Sequence, residues 1–137
     1  IYSIDEAFLD LLNNESKYYV THAAPTPVDA ITTIRKAGGV AVIAHPFASR
    51  RGQIITASTF SDLVAAGLNG IEVHHRDQDA QEQATLTTIA QELNLVMTGS
   101  SDYHGTGKLN ALAENTTHQA QWEQLESLAD ARRVVKK

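Results

Sequence analysis

Three apolar runs separated by helical patterns constrain the fold of this chain more than any other feature. The runs are VAVIA at residues 40–44, GIEV at 70–73 and LVMT at 95–98. They are apolar along their length rather than at every second residue, which indicates strands that are covered on both faces. Such strands, alternating with helices, are typical of a parallel sheet packed between helices. The sequence therefore predicts an α/β fold.

The segments around these strands carry helix signals. Thr26 is a suitable N-cap, and Pro27 suits the first turn of a helix that ends at Gly38 and Gly39. Ser3 and Glu6 have the spacing of a capping box. Apolar residues at helical spacing predict four further helices, at about residues 4–12, 59–66, 79–93 and 119–133.

Length and charge limit the classes of function. With 137 residues the chain fits one domain, residues 1–137. A formal net charge of −5 argues against general binding of duplex nucleic acid, which needs a basic face. The absence of cysteine excludes disulfides and thiolate metal sites and fits a cytoplasmic protein. No apolar run reaches the roughly 18 residues of a membrane span, so we expect no membrane partner.

Histidine or aspartate follows each of the three predicted strands. His45 follows the first strand, His74 and His75 follow the second, and GSSDYHG after the third strand supplies Asp102 and His104. Because parallel α/β folds bind ligands beyond the carboxyl ends of their strands, we expect these side chains at one face. Imidazole is a common ligand of zinc, iron and manganese. The pattern therefore favours His45, Asp102 and His104 as metal ligands.

Other interpretations of these residues stay open. A lone His45 can cap a strand, and Asp102 with His104 can form a polar turn. In an extended segment, however, Asp102 and His104 project to the same side and can face one cavity. A serine hydrolase is disfavoured because Tyr103 stands where the G-x-S-x-G motif needs its last glycine.

Five further residues are candidates near the same face. His74 and His75 are adjacent, so in a strand they point to opposite sides and cannot both face the site. Glu72 shares its face with His74 if the strand continues that far, and Glu72 and His75 are candidates for contacts with a metal or substrate. Arg50 and Arg51 are candidates for phosphate binding, because a guanidinium matches phosphate oxygens, although a solvated loop explains them equally well.

The chain resembles the PHP (polymerase and histidinol phosphatase) family over about residues 26–110. The resemblance lies in AGGVAVIAHP, GLNGIEVHHRDQDAQE and LNLVMTGSSDYHG, in this order, and it is nearest to the stand-alone metal-dependent phosphoesterases. It implies a distorted seven-stranded (β/α) barrel with two or three divalent ions, manganese, zinc, iron or magnesium. It also implies metal-dependent hydrolysis of phosphate esters, with nucleotides or short RNA ends as substrates. Through the AHP and SD-x-H motifs it assigns metal-ligand roles to His45, Asp102 and His104.

The family's active site opens with an H-x-H motif near the amino terminus, followed by a D-H motif and a G-x-E motif. None of the three occurs in the amino-terminal part of this sequence, before the first predicted strand. We therefore expect the carboxyl-terminal part of a longer phosphoesterase, inactive as a fragment. A partial barrel leaves a strand edge unpaired, so we also expect the fragment to form a homo-oligomer.

Two alternatives to this function remain. An amidohydrolase-like metal hydrolase also places histidine and aspartate at strand ends, but it normally needs a lysine or a further histidine at an intermediate strand. A binding or regulatory module could keep the fold without complete chemistry. Metal binding by the purified chain distinguishes this module from the two enzymes.

Overall fold

The computed structural model describes residues 2–49 and 55–130. The helices are α1 (Ile4–Asp10), α2 (Pro27–Lys36), α3 (Thr59–Ala65), α4 (Ala80–Glu92) and α5 (Gln119–Ser127). The strands are β1 (Val42–Ile43), β2 (Gly70–His74) and β3 (Val96–Gly99), and a short 3-10 helix spans Gly105–Gly107. Among these residues, no helix has the length and apolar character needed to cross a membrane.

Helices α1, α2 and α4 begin where side chains cap their first turns. The Thr26 hydroxyl accepts a hydrogen bond from the Asp29 N–H at the start of α2, as predicted from the Thr-Pro pair. Asp79 and Glu82 form a reciprocal capping box at the start of α4. Because each cap binds N–H groups that a helix start leaves without partners, both starts are sharply defined.

Helix ends were predicted less well than helix starts. Helix α1 ends at Asp10 rather than at residue 12, and α5 ends at Ser127 rather than at residue 133. Both predictions relied on apolar spacing alone, which continues beyond the last helical turn. Residues 131–137 lie outside the described part of the chain.

The three strands form a parallel sheet in the order β1-β2-β3. The α/β class and the parallel arrangement are therefore confirmed. Val42 and Ile43 pair with Gly70 and Ile71, and β2 pairs with β3 from Gly70 onwards. The pairing of β2 with β3 is interrupted by an irregularity between Glu72 and His74. Such a bulge changes which side chains share a face after it.

The core lies between the sheet and the helices that cover it. Helices α4 and α5 pack against the sheet, and α2 contacts α3. The buried cluster consists of Ile31, Ala41, Phe60, Leu63, Leu68, Ile71, Val73, Leu86, Ile89, Ala90 and Leu95. Because the strands pack in this core, the backbone at their carboxyl ends is held in place and can position polar side chains.

Close packing at the end of β3 makes Gly99 a sensitive position. A Cβ atom at Gly99 would lie 2.6 Å from the Thr116 carbonyl oxygen, which is backbone and cannot move aside easily. The Thr117 hydroxyl also binds the Gly99 N–H and carbonyl, at 3.1 and 3.2 Å. We expect Gly99→Ala to lower the free energy of unfolding by about 1–3 kcal/mol, the usual effect of overpacking. Urea denaturation measures it.

Gly107→Ala is the matched control for this substitution. A Cβ atom at Gly107 would meet no atom within 4 Å, so we expect no loss of stability. Equal stability of the two alanine variants would contradict the role assigned to the contact between Gly99 and Thr116.

Candidate metal centre

His45 lies just beyond β1 and has an unusual backbone conformation. Its φ angle is +31°, in the left-handed region that residues other than glycine rarely adopt. Its backbone N–H donates a hydrogen bond of 2.7 Å to Glu72 Oε2, and its carbonyl accepts from the Ala48 N–H at 3.2 Å. Conformations of this kind cost about 1–3 kcal/mol and persist where surrounding contacts enforce them, often at functional sites.

Glu72, His74 and His75 do not share faces as simple strand alternation suggests. The sequence placed Glu72 with His74, but in the structure Glu72 groups with His75 while His74 is exposed. The bulge between Glu72 and His74 accounts for the difference, because one extra residue reverses the alternation beyond it. The expectation that only one of the two histidines faces the site agrees with this geometry.

His45, Glu72 and His75 form the cluster that we call the strand-end triad. One potential ligand atom from each residue lies within 4.8 Å of the others. The two imidazole rings are tilted by 50° with their centroids 4.8 Å apart. Glu72 and His75 are buried, with only 7% and 0% of their surface exposed. The triad therefore brings two imidazoles and one carboxylate together at the carboxyl ends of β1 and β2.

The ring of His75 is oriented by the backbone that follows it. The Asp77 N–H donates to His75 Nδ1 at 3.1 Å, so a neutral ring carries its hydrogen on Nε2. Nε2 is buried, lacks a hydrogen-bond partner among the described residues and lies 3.8 Å from Asp102 Oδ2. A metal ion at Nε2 would shift the ring hydrogen to Nδ1 and break the bond from Asp77.

Asp102 connects the strand-end triad to the loop after β3. Besides its 3.8 Å approach to His75, its carboxylate pairs with the Lys108 ammonium and lies 3.4 Å from His104 Nδ1. His104 Nδ1 is also 2.7 Å from the Asp102 carbonyl oxygen. If Nδ1 donates to that oxygen, His104 Nε2 keeps its lone pair for a ligand. Asp102 has a φ of +48°, so a second residue of the site adopts a left-handed conformation.

Buried polar groups hold the loop that carries Asp102. The Asn110 amide donates to the Ser101 carbonyl at 2.7 Å. The Ser101 hydroxyl donates to the Asn115 carbonyl at 3.0 Å and accepts from the Asn115 N–H at 3.1 Å. These contacts fix the backbone immediately before Asp102, because Asn110 and Ser101 are almost fully buried.

The structure thus brings some of the predicted site residues closer together than others. His45, Glu72 and His75 form the triad, and Asp102 borders it through His75. His104 contacts Asp102 but is 59% exposed at its side chain. Arg50 and Arg51 lie outside the described residues.

Sequence reasoning did not identify Gln78 or Lys108. Gln78 is buried and hydrogen-bonds the loop after β1, and Lys108 pairs with Asp102. The available signal for Gln78 was its place in the polar segment directly after a strand end. Lys108 lies six residues after Asp102, and no helical or strand periodicity in the sequence indicates that the two side chains meet.

The donor groups of this region fit a divalent metal ion. Imidazole nitrogens together with carboxylate oxygens suit zinc, iron and manganese. The buried Nε2 of His75 lacks a hydrogen-bond partner among the described residues, and it becomes available to an ion if the Asp77 N–H no longer bonds Nδ1. The chemistry of the side chains therefore supports divalent metals without selecting one of them.

Two curated proteins are similar in sequence to this chain. A phosphoribosyl 1,2-cyclic phosphate 1,2-diphosphodiesterase of Eggerthella lenta is 42% identical over 77 residues, which are 56% of this chain and 28% of the relative. A 3′,5′-nucleoside bisphosphate phosphatase of Chromobacterium violaceum is 33% identical over 90 residues, which are 66% of this chain and 32% of the relative. The chain thus matches about a third of the length of these relatives. No family model matches the sequence.

Two solved structures are similar in fold. A protein of Bifidobacterium adolescentis assigned as a metal-dependent phosphoesterase has a TM-score of 0.83 and 34% identity, over 92% of this chain and 44% of that one. An amidohydrolase of Chromobacterium violaceum, crystallised with sulfate and no metal, has a TM-score of 0.63 and 26% identity. The match covers 97% of this chain and 49% of that one. The α/β arrangement of this chain is therefore shared with a phosphoesterase of about twice the matched length.

Proposed function

We propose that this chain contributes metal-binding residues to a phosphoesterase that hydrolyses phosphate esters with divalent ions. The observation that carries the proposal is the strand-end triad, with Asp102 at 3.8 Å from His75. The triad lies where parallel α/β folds bind ligands. The names of both sequence relatives support the same chemistry, since one is a phosphodiesterase and the other a phosphatase.

The AHP and SD-x-H motifs favour membership of the PHP family, with residues 1–137 as the carboxyl-terminal part of a larger catalytic unit. The two curated relatives are about three to four times as long as the segment they share with this chain. In this proposal other segments supply the H-x-H, D-H and G-x-E motifs. The 137 residues alone then bind an ion but lack a complete active site.

His45, Asp102 and His104 are the proposed metal ligands, with Glu72 and His75 at the same site. A bound divalent ion supplies Lewis-acid stabilisation of the charge that develops on phosphoryl oxygens. Asp102 is held for this role by Lys108, which balances its charge, and by the buried contacts of Ser101 and Asn110. The exposure of His104 leaves the outer side of the site open to a substrate.

The proposed substrate is a small phosphorylated ribose compound, a nucleotide or an RNA end. The names of the relatives support this class, because a phosphoribosyl cyclic phosphate and a nucleoside bisphosphate both carry phosphate esters on ribose. Arg50 and Arg51 remain candidates for phosphate binding, since they follow His45 by only five and six residues in the sequence and a guanidinium matches phosphate oxygens.

The decisive experiment joins these 137 residues to the segment that carries the H-x-H and D-H motifs. We expect this longer polypeptide, loaded with Mn²⁺ or Zn²⁺, to release phosphate from a nucleoside 3′,5′-bisphosphate. Asp102→Asn should lower kcat/KM by more than the roughly 10–100-fold typical of losing an outer partner of a metal site. Full activity of this variant, or no hydrolysis of any phosphate ester, would contradict the proposal.

An amidohydrolase is the second candidate, because a solved amidohydrolase shares the fold at a TM-score of 0.63. His75 supplies a histidine at an intermediate strand end, as that class requires. The same metal-loaded polypeptide should therefore be assayed with cyclic amides and N-acyl amino acids beside the phosphate esters. Hydrolysis of the amides alone would favour this candidate.

A regulatory module without chemistry is distinguished by metal analysis of the 137-residue chain. Elemental analysis after dialysis against Mn²⁺ or Zn²⁺ should show a bound ion if the site functions as proposed. No bound ion, and no change in thermal unfolding on adding either metal, would favour the module.

We also propose that the isolated chain forms a homo-oligomer. The described sheet has three strands, and its outer strand β1 leaves Val42 37% exposed at the edge. Open strand edges and exposed apolar side chains promote association. Size-exclusion chromatography with light scattering should show a dimer or larger species, and a monomer at high concentration would contradict this prediction.

A further inference from the structure

We infer that Glu72 and Gln78 are positioning residues, whose side chains hold the loop after β1 so that His45 joins the metal centre. This inference rests on the proposed function, because it assigns the two residues a role in metal binding. In this inference Glu72 is not itself a metal ligand. Glu72 then acts on the ion through the backbone of His45.

A hydrogen bond joins the Glu72 side chain to the backbone of His45. The Glu72 side chain is buried, and its Oε2 accepts the His45 backbone N–H at 2.7 Å. A carboxylate acceptor makes such a bond shorter and stronger than a neutral one. One carboxylate oxygen is therefore already committed to holding the residue whose ring belongs to the triad.

The backbone of His45 has a strained conformation. A histidine at φ +31° needs contacts that enforce this conformation. The bond from its N–H to Glu72 and the bond from the Ala48 N–H to its carbonyl fix both polar groups of the residue. Without the Glu72 acceptor, His45 would relax toward an ordinary backbone conformation and its ring would turn away from His75.

Gln78 connects the same loop to β2 through hydrogen bonds of its side chain. Its Oε1 accepts from the Phe47 N–H at 3.1 Å, and its Nε2 donates to the carbonyls of Glu72 and Val73 at 3.1 and 2.8 Å. Gln78 is only 2% exposed. It therefore links the residue two positions after His45 to the bulged part of β2.

Together the two side chains bind alternate N–H groups of the loop, those of His45 and Phe47. Both acceptors come from β2 or the turn after it, the same segment that carries His75. This segment thus carries His75 itself, and it orients His45 through hydrogen bonds to the backbone of the loop after β1. Support of ligands by hydrogen bonds from a second layer of residues is common in metal sites.

The test compares Glu72→Gln with Glu72→Leu in the 137-residue chain. Glutamine keeps an oxygen that accepts the His45 N–H but loses the charge and most of the ability to bind a metal, whereas leucine loses both. Binding of Mn²⁺ or Zn²⁺ is measured by titration calorimetry. Hydrogen exchange of the His45 amide, followed by NMR without metal, reports the bond between the His45 N–H and Glu72 directly.

Gln78→Leu is measured in the same way. Glu92→Gln is the matched control for charge, because it removes one carboxylate from an exposed position of α4.

We expect Glu92→Gln to bind the ion as the unsubstituted chain does, whereas Glu72→Gln should weaken binding, but by less than about tenfold. Glu72→Leu and Gln78→Leu should weaken binding by about 10–100-fold, and Glu72→Leu should speed exchange of the His45 amide at least tenfold. Thermal unfolding checks that each variant is folded. If Glu72→Leu does not fold, the comparison of Glu72→Gln with the unsubstituted chain still decides the point.

The outcomes separate the positioning role from the proposed function. Equally weak binding by the glutamine and leucine variants would make Glu72 a ligand and overturn the inference, while the metal centre would stand. Unchanged exchange of the His45 amide in Glu72→Leu would overturn it as well. If the unsubstituted chain binds no ion, the proposed function fails, and the exchange data then show only whether Glu72 holds the loop.

Discussion

Replacing His75 by alanine is expected to abolish binding of divalent ions by this chain. His75 is fully buried, belongs to the strand-end triad and approaches Asp102 at 3.8 Å. Its loss removes one imidazole of the triad and also the 3.8 Å contact between this ring and Asp102. We expect the affinity for Mn²⁺ or Zn²⁺, measured by titration calorimetry, to fall at least about 100-fold, beyond the usual effect of losing an outer partner.

His74→Ala is the matched control for this experiment. The two histidines are neighbours in sequence, but His74 is exposed, and its Nδ1 lies 3.4 Å from Gln83 Oε1, outside the triad. We expect the His74 variant to bind the ion as the unsubstituted chain does. Because removal of a buried ring also destabilises the core, His75→Gln is measured beside it and checked for folding by circular dichroism. Loss of binding in the His74 variant alone would reverse the assignment of the two residues.

Phe60→Ala is expected to destabilise the chain even more than Gly99→Ala. Phe60 is fully buried on α3, and its ring meets the Phe47 ring edge-on with centroids 6.1 Å apart. Truncation of a buried phenylalanine leaves a cavity and typically lowers the free energy of unfolding by about 3–5 kcal/mol. Since small domains have a total stability of only about 5–15 kcal/mol, much of the chain should unfold at low urea concentration.

Phe8→Ala provides the same chemical change outside the core. Phe8 lies on α1 and is 59% exposed, so we expect a change within about 0.5 kcal/mol. Urea denaturation followed by circular dichroism measures both variants. The buried cluster indicates that the core depends on Phe60 of α3. Similar urea midpoints for the two variants would contradict this.

The fold was largely predictable because its signals are local. Thr26 with Pro27 defined the start of α2, and the apolar runs before His45 and Asp102 marked strands that prove parallel. The length of β1 was overestimated. Only Val42 and Ile43 form a regular strand, although five apolar residues occur there. Burial of an apolar run requires a covered position, whereas a strand also requires a neighbour to pair with.

The candidate site was predictable as a set of strand ends but not in its geometry. His45, Asp102 and the His74–His75 pair were all identified from their places after apolar runs. The grouping of Glu72 with His75 was not, because it depends on a bulge that strand alternation does not reveal. The contact of Lys108 with Asp102 likewise depends on a loop conformation that residue spacing does not encode.

The left-handed backbone at His45 and Asp102 has a consequence for protein engineering. Glycine and asparagine adopt this conformation more readily than histidine or aspartate, so either replacement would relieve backbone strain. Each would also delete a proposed metal ligand. In a library of this chain selected only for resistance to heat, substitutions at these two positions would therefore be favoured early, and the proposed metal binding would be lost before other routes to stability were used.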